Sequence, residues 1–475
     1  MGGKAEIKLR STSRQRPASR AAGHHVVVEV TETAKLALPM VLTQLGQIAM
    51  MTIDLAFIGR IGPEALAAAT LAARVYLVSL TLCMGLMAAI APLAAEAFGA
   101  NKLAVVRHLF QMGLWAGLVL SLPIMTFPLH GEQILVALGQ APEVARLAEQ
   151  YLLGLVWGIA PAVGFLAIRS LMGAVGRPEP AMWITVASIP INGLLVYLLT
   201  FGKLGLPRLE LLGVGLANTI VNCAMFLVGL WFATMWRPFS DYYVLAHFWR
   251  FDRRAMRQLI VVGTPISIGF LMEYGIFSAV ALLMGTISIT ALAAHQIAAQ
   301  VADILFMIPS GISMAVAVRV GHAAGRNDRS GIKRAGVVAI LLGIVIAATL
   351  ALMLIGARFQ IPELFLNEAT AEQGETIRLA ADLLWVGAMF FITDTTRSIA
   401  SGGLRGLKDT QVPLLCALVC YWLIGFPLGY VFGLMMGLGP IGIWIGISIG
   451  TTACASLLVL RFHVLATNFV RQSHA

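Results

Sequence analysis

Twelve stretches of this chain are long and apolar enough to cross a bilayer, and they leave little room for any other architecture. They lie near 36–58, 66–95, 109–129, 147–170, 180–201 and 211–236, then 258–284, 291–318, 335–356, 377–400, 411–433 and 440–463. A spanning helix needs about 20 largely apolar residues. Inside lipid, only helices and closed barrels satisfy their own backbone groups. Composition agrees: 59% of the 475 residues are hydrophobic and 12% charged, where soluble domains carry roughly 25% charged residues. A soluble enzyme, a disordered scaffold and a disulfide-stapled secreted domain are excluded. The class expected is all-α and integral to the membrane.

The net charge of +10 is set by topology rather than by a nucleic-acid partner, because the excess sits in short connections between apolar blocks. Lys102 and Arg107, Arg177, the group Arg237, Arg250, Arg253, Arg254 and Arg257, the group Arg326, Arg329, Lys333 and Arg334, then Arg405 and Lys408, and finally Arg471 fall on one side. The alternate connections are poorer in basic residues: 130–145 holds Glu132 and Glu143, and 357–376 sets Arg358 against Glu363, Glu368, Glu372 and Glu375. Lys203 and Arg208 are the exception. The positive-inside rule then predicts a multi-pass inner-membrane protein with both termini cytoplasmic. Residues 1–30, with Lys4, Lys8, Arg10, Arg14, Arg16 and Arg20, read as a disordered basic cytoplasmic arm able to brush anionic lipid. They lack the short apolar core of a removable signal peptide. The five cysteines lie in apolar runs without a CxxC and read as packing residues.

The longest polar stretch, 237–257, divides the chain into two halves. Sliding the sequence by 226 residues aligns 39–101 with 265–327 without a gap, pairing Pro39 with Pro265, Gly59 with Gly285, Gly85 with Gly311, Gly99 with Gly325 and Asn101 with Asn327. With a small shift, Arg169-Ser170 through Gly176-Arg177 resembles Arg397-Ser398 through Gly406-Leu407. The organisation expected is a six-helix lobe over 31–236, a cytoplasmic linker over 237–257, a second six-helix lobe over 258–464 and a tail over 465–475. Both copies start on the same side of the membrane, and repeat-built transporters place substrate sites where such halves meet.

An ionisable side chain at the centre of a span costs about 2.5–3.5 kcal/mol on insertion scales, so each one asks for a partner or a task. Asp54 ends a polar stripe made by Gln44, Gln47 and Met51. Glu273 stands at the position that Gln47 holds in the other repeat. Asp303, Asp382 and Asp394 lie in later spans. Asp394 and Arg397, three residues apart, can neutralise one another. Arg74 and Arg169 read as interfacial or snorkelling residues, Asp382 as close to the outer surface, and Asp303, after Gln296 and Gln300, as a possible hydrogen-bonding residue. Asp54 and Glu273 have no basic residue within two turns on their own helix, so no local ion pair explains them. Buried carboxylates held close together cannot all ionise cheaply, and so they hold a proton or bind a cation. An inward-moving cation supplies about 2.3 kcal/mol per 100 mV, and a carboxylate that alternates between it and a cationic drug yields antiport.

These residues resemble the multidrug and toxic compound extrusion (MATE) family, in its bacterial NorM-like branch, over about 35–465. The likeness rests on Leu38-Pro39 through Asp54 to Gly59, on Ala291-Leu292-Ala293-Ala294-His295-Gln296-Ile297-Ala298, and on Gly403-Leu404-Arg405-Gly406-Leu407-Lys408-Asp409-Thr410 with Pro413. It implies twelve transmembrane helices in two pseudo-symmetric six-helix lobes around a central cavity, rocking between outward- and inward-open forms. It implies a multidrug antiporter, not an enzyme, which uses Na⁺ or H⁺ as coupling ion, needs no cofactor and works as a monomer. Glu273 and Asp394 match a cation-coupling site, which would hold Na⁺ in a sodium-driven pump, with Asp303 as a possible third member. Asp54 matches a proton-responsive aspartate, with Gln47 and Asn192 beside it. Gln44, Met51, Phe390 and Gln296 are candidates for the cavity lining. Phe390 stands where a tyrosine is usual and Ser188 where an asparagine is common, and both weaken a hard-cation site. The partners expected are toxic organic cations and the lipid bilayer. A lipid-linked precursor flippase on the same scaffold and an intramembrane enzyme are the rival readings. Mainly acidic buried charge disfavours the first, and the absence of HExxH, DDxxD or a P-loop disfavours the second.

Overall fold

The computed structural model describes residues 18–205, 207–237, 239, 249, 251–365 and 371–468, with side chains from residue 28 onward apart from 371–372. Lys4, Lys8, Arg10, Arg14, Arg16, Arg250, Glu368 and Arg471 lie outside the described residues. The first half contains α1 (Ala18–Gly59), α2 (Pro63–Ala88), α3 (Ile90–Gly99), α4 (Leu103–Leu129), α5 (Gly131–Ala137), α6 (Pro142–Val156), α7 (Ile159–Ala174), α8 (Glu179–Phe201) and α9 (Glu210–Met235). The second contains α10 (Arg253–Ile287), α11 (Ile289–Gly325), α12 (Arg329–Gly356), α13 (Gln360–Glu363), α14 (Ala371–Gly406), α15 (Gln411–Ala417), α16 (Phe426–Tyr430) and α17 (Gly439–Asn468), with π-helical turns at Leu418–Gly425 and Val431–Met435. Eleven helices are long and apolar enough to cross a membrane, or twelve when the bent pair α6–α7 counts as one span.

One boundary differs from the sequence reading. Helix α1 already runs at Ala18, inside the stretch 1–30 marked as a disordered arm. Farther along the helix, Glu29 meets Arg319 of α11 in a largely buried ion pair, which ties α1 to the other half.

Local chemistry accounts for the starts and breaks. Asp252 caps α10 by accepting from the Arg254 and Ala255 N–H groups, Ser288 caps α11, and Asp328 caps α12 by accepting from Gly331 N–H at 2.9 Å. The Gly331 backbone N–H and the Ser330 hydroxyl, both donating to it, hold the Asp328 carboxyl below the usual aspartate range. The fourth span bends by 49° between α6 and α7. There Thr219 Oγ1 donates to the Gly154 carbonyl at 2.7 Å, and Gly158 N–H turns back to Leu155 O. A side chain from the neighbouring helix has taken the acceptor that would have continued the helix.

The repeat seen in the sequence is present in three dimensions. The run Pro63–Gly99 and the helix Ile289–Gly325 begin and end at positions related by the same 226-residue shift. Asn101 and Asn327, which follow them, both adopt left-handed backbone, with φ 58° and 55°, a conformation that asparagine tolerates.

The packing is asymmetric from end to end. One hydrophobic core joins residues of both halves, including Leu86, Ile90, Val106 and Phe110 with Ile266, Ile312, Val320 and Leu404. Beyond it the halves have separate cores, one around Ile58, Ala65, Leu152 and Val214 and another around Val280, Met284, Leu384 and Trp444. The joined end carries the turns at 100–102 and 326–328, where the basic residues cluster. At the seam the repeats meet through paired glycines. Gly85 abuts the Ser267 backbone and Gly311 that of Val41, while Gly99 meets the His322 carbonyl and Gly325 that of Glu96, with no room for a Cβ at any of the four. Ser267 Oγ donates to the Leu82 carbonyl across this seam at 2.8 Å, and Lys408 pairs with Glu96. Two lobes joined at one end and separately cored at the other enclose a cleft between them.

Candidate functional site

Two groups of polar side chains lie inside the lobes, one in each. In the first lobe Asp54, only 6% exposed, accepts from Asn192 Nδ2 at 2.7 Å on one carboxylate oxygen and from Asn218 Nδ2 at 2.8 Å on the other. Helices α1, α8 and α9 each bring one of these three residues. No cation pairs with Asp54 among the described residues. The Asn192 Oδ1 is buried without a hydrogen-bond partner, although buried polar atoms are nearly always satisfied. Carboxylate oxygens next to an orphaned amide oxygen form a donor set suited to a proton or a small hard cation. Asn218 was not among the residues singled out from the sequence. Its signal was of the same kind as that of Asn192, an amide inside an apolar run.

In the second lobe no basic residue of α10 lies within two turns of Glu273. Glu273 does have a basic partner, supplied by another helix: Arg397 of α14 forms an ion pair with it and also directs Nε to Asp394 Oδ1 at 2.7 Å. The neutralisation of Asp394 by Arg397 is therefore real, and the same guanidinium serves both acids. Asp394 and Arg397 are 5% and 7% exposed. Tyr421 brings its hydroxyl to 3.5 Å from Asp394 Oδ1 and its ring beneath the Arg397 guanidinium. Tyr421 belongs to the π-helical turn Leu418–Gly425, so a hydroxyl approaches Asp394 from that turn. A crevice of about 30 Å³, lined by Glu273, Arg397, Ser401, Arg405 and Thr410 among others, adjoins this triad and has room for water.

A third set sits near the seam. Arg169 of α7 donates from Nη1 to Gln44 Oε1 at 2.8 Å and to Gln47 Oε1 at 3.3 Å. Gln44 Nε2 in turn donates to Ser310 Oγ of the opposite lobe at 3.2 Å. Arg169 therefore does not snorkel as expected, because the glutamine stripe of α1 holds it inside.

Asp303 is exposed but stays within electrostatic reach of both Glu273 and Asp394, so it stands beside the triad. Gln296 and Asp382 are exposed too, as is Met51. Phe390 is 4% exposed and packs edge-on against Phe277 and Trp444, so it belongs to the interior of the second lobe rather than to the cleft lining. Ser188 spends its hydroxyl on the Ile184 carbonyl of its own helix. Arg74 is exposed, but it lines a cavity with Ser278, Leu282 and Thr286 of the second half, so it faces the space between the lobes rather than the membrane interface.

Comparison with known proteins adds the lineage. A family profile described as MatE matches residues 39–198 and 265–431, the two halves of the repeat. The chain belongs to the MATE family. It is similar to a probable multidrug resistance protein NorM of Bradyrhizobium diazoefficiens, with 54% identity over 96% of this chain and 97% of that one. It is also similar to a protein of the same name from Rhodopseudomonas palustris, with 52% identity over 92% of each. Among solved structures, a eukaryotic MATE transporter superposes with TM-score 0.82 at 21% identity, covering 93% of this chain and 98% of that one. A second MATE crystal structure reaches TM-score 0.85 at 19% identity, covering 93% and 97%. The fold of this MATE chain is thus that of an all-α, multi-pass membrane transporter.

Proposed function

We propose that the chain is a secondary active multidrug efflux antiporter. It exports organic, often cationic and amphipathic, compounds in exchange for Na⁺ or H⁺, by rocking-type alternating access in the inner membrane with both termini cytoplasmic. The basic turns at the joined end support that orientation, and the cleft then faces outward. The relatives' printed names support the substrate class. The observation that carries the reading is Asp54: a carboxylate removed from water, held by two amides and without a counter-ion, beside the orphaned Asn192 oxygen. Such a group gains by taking a proton or a cation, and losing that guest to a competing organic cation couples the two movements.

Glu273 and Asp394 serve the same exchange only when Arg397 turns away, since a small cation there competes with a guanidinium already in place. The division of labour proposed is therefore unequal, with Asp54 as the ready exchanger and the Glu273–Arg397–Asp394 triad as a site released by rearrangement. The pseudo-twofold cleft is complete within one chain, which supports action as a monomer.

The test is uptake of ethidium into inside-out proteoliposomes loaded with Na⁺ and diluted into Na⁺-free medium at fixed pH, so that Na⁺ leaves the lumen as the drug enters, and then under an acid-inside proton gradient at fixed Na⁺. One gradient is expected to drive accumulation without ATP. Equal, gradient-independent equilibration would overturn the antiport reading.

A further inference from the structure

We propose that Arg169 with Gln44 and Gln47 forms an anion-accepting subsite at the floor of the cleft. Building on the efflux reading above, its ligand is a compact monovalent anion: the carboxylate of a zwitterionic transported compound, or chloride.

The argument starts from the repeat. Arg169-Ser170 corresponds to Arg397-Ser398, and Gln47 to Glu273. In the second lobe the guanidinium points Nε at Asp394 and Nη2 at Glu273, so one edge holds two carboxylates. In the first lobe the corresponding arginine has only amide oxygens as partners, both on Nη1, and its Nε is buried with no partner at all. No carboxylate pairs with Arg169 among the described residues. A guanidinium withdrawn from water without a counter-charge is costly, and its Nε–Nη2 edge has the fork geometry that matches a carboxylate.

Position supplies the route. Gln44, which holds Arg169, also bonds Ser310 of the opposite lobe, and the adjoining Val41–Gly311 contact closes the seam. Arg169 therefore stands where the joined core gives way to the cleft, and it retains partial exposure. Asp54 lies on the same helix as Gln47, seven residues further along, a rise of about 10 Å. A negative centre and a positive centre at that separation complement a zwitterion of drug size.

The experiment uses two dyes that differ only at the anion, rhodamine B and its ethyl ester, in gradient-driven proteoliposome uptake. In Arg169→Gln and in Gln47→Glu, the latter supplying an internal carboxylate as Glu273 does, the uptake ratio of free acid to ester is expected to fall about tenfold, whatever change the two dyes share. A ratio unaltered in both variants overturns the carboxylate assignment. Replacing chloride by gluconate separates the two sources: a chloride requirement for ester uptake that vanishes in both variants identifies chloride as the occupant. If wild type carries neither dye, the efflux reading fails, and the subsite is judged by anion binding alone. Benzoate and chloride are titrated against the purified chains and read by thermal unfolding. Stabilisation in wild type that is lost in the variants upholds the subsite. No stabilisation, or the same stabilisation in all, overturns it.

Discussion

The two lobes descend from one repeat but balance their buried charge in opposite ways. In the second lobe, Arg397 meets Glu273 and Asp394, and the acids are neutralised from within the protein. In the first, the corresponding Arg169 meets two neutral amides, while Asp54, the one buried carboxylate among the described residues of that lobe, meets two others. A compensated lobe is electrostatically content as it stands. An uncompensated lobe has to take its counter-charges from outside, which is what an exchanger must do. The lesson is that a buried acid is informative only once its partner is known, and that partner is often on another helix.

The sharpest way to break the comparison is at Asp54. Asp54→Asn keeps the shape and removes the charge, and its Nδ2 can donate to the Asn192 Oδ1, which has no other partner, once that amide turns over. It is expected to abolish gradient-driven ethidium uptake while leaving the chain inserted, as judged by its amount in the membrane and its elution from a sizing column. Normal uptake would place the exchange elsewhere.

Arg397→Gln comes next. It leaves two carboxylates buried side by side, and removing one partner of a buried ion pair typically costs about 3–5 kcal/mol. Thermal unfolding in detergent is expected to show that loss, and the double variant Arg397→Gln with Glu273→Gln to recover much of it. In the first lobe, Gln47→Ala removes no charge partner and is expected to cost far less.

The seam gives a smaller effect. A Cβ at Gly325 would collide with the backbone at Glu96 and Ala100, so Gly325→Ala is expected to bias the lobes toward the form separated at this end. Spin labels at Lys102 and Arg329 would report the longer distance.

The smallest effect concerns a helix start. Asp328 caps α12, whereas the residue at the same repeat position, Lys102, leaves α4 without a side-chain cap. Asp328→Ala is expected to cost about 1 kcal/mol. Because the folded protein depresses the Asp328 pKa, that contribution is present above the ordinary aspartate range. It fades as pH falls through the depressed folded value, and the variant should differ least from wild type in acid.

Much of this was legible in the amino-acid order alone. Runs of apolar residues dictate spanning helices because lipid offers no partner for a bare backbone, and the 226-residue correspondence dictates two similar lobes. Asp54 and Asn192 were visible as polar residues in apolar surroundings. The sequence could not say that Arg397 reaches Glu273, that Arg169 is held by Gln44 and Gln47, that Tyr421 brings its hydroxyl toward Asp394, or that Glu29 of α1 pairs with Arg319. Each of these depends on which helix faces which, across separations of up to 290 residues. The periodicity of a single helix records which face is polar, but the partner of that face is chosen only when the helices pack.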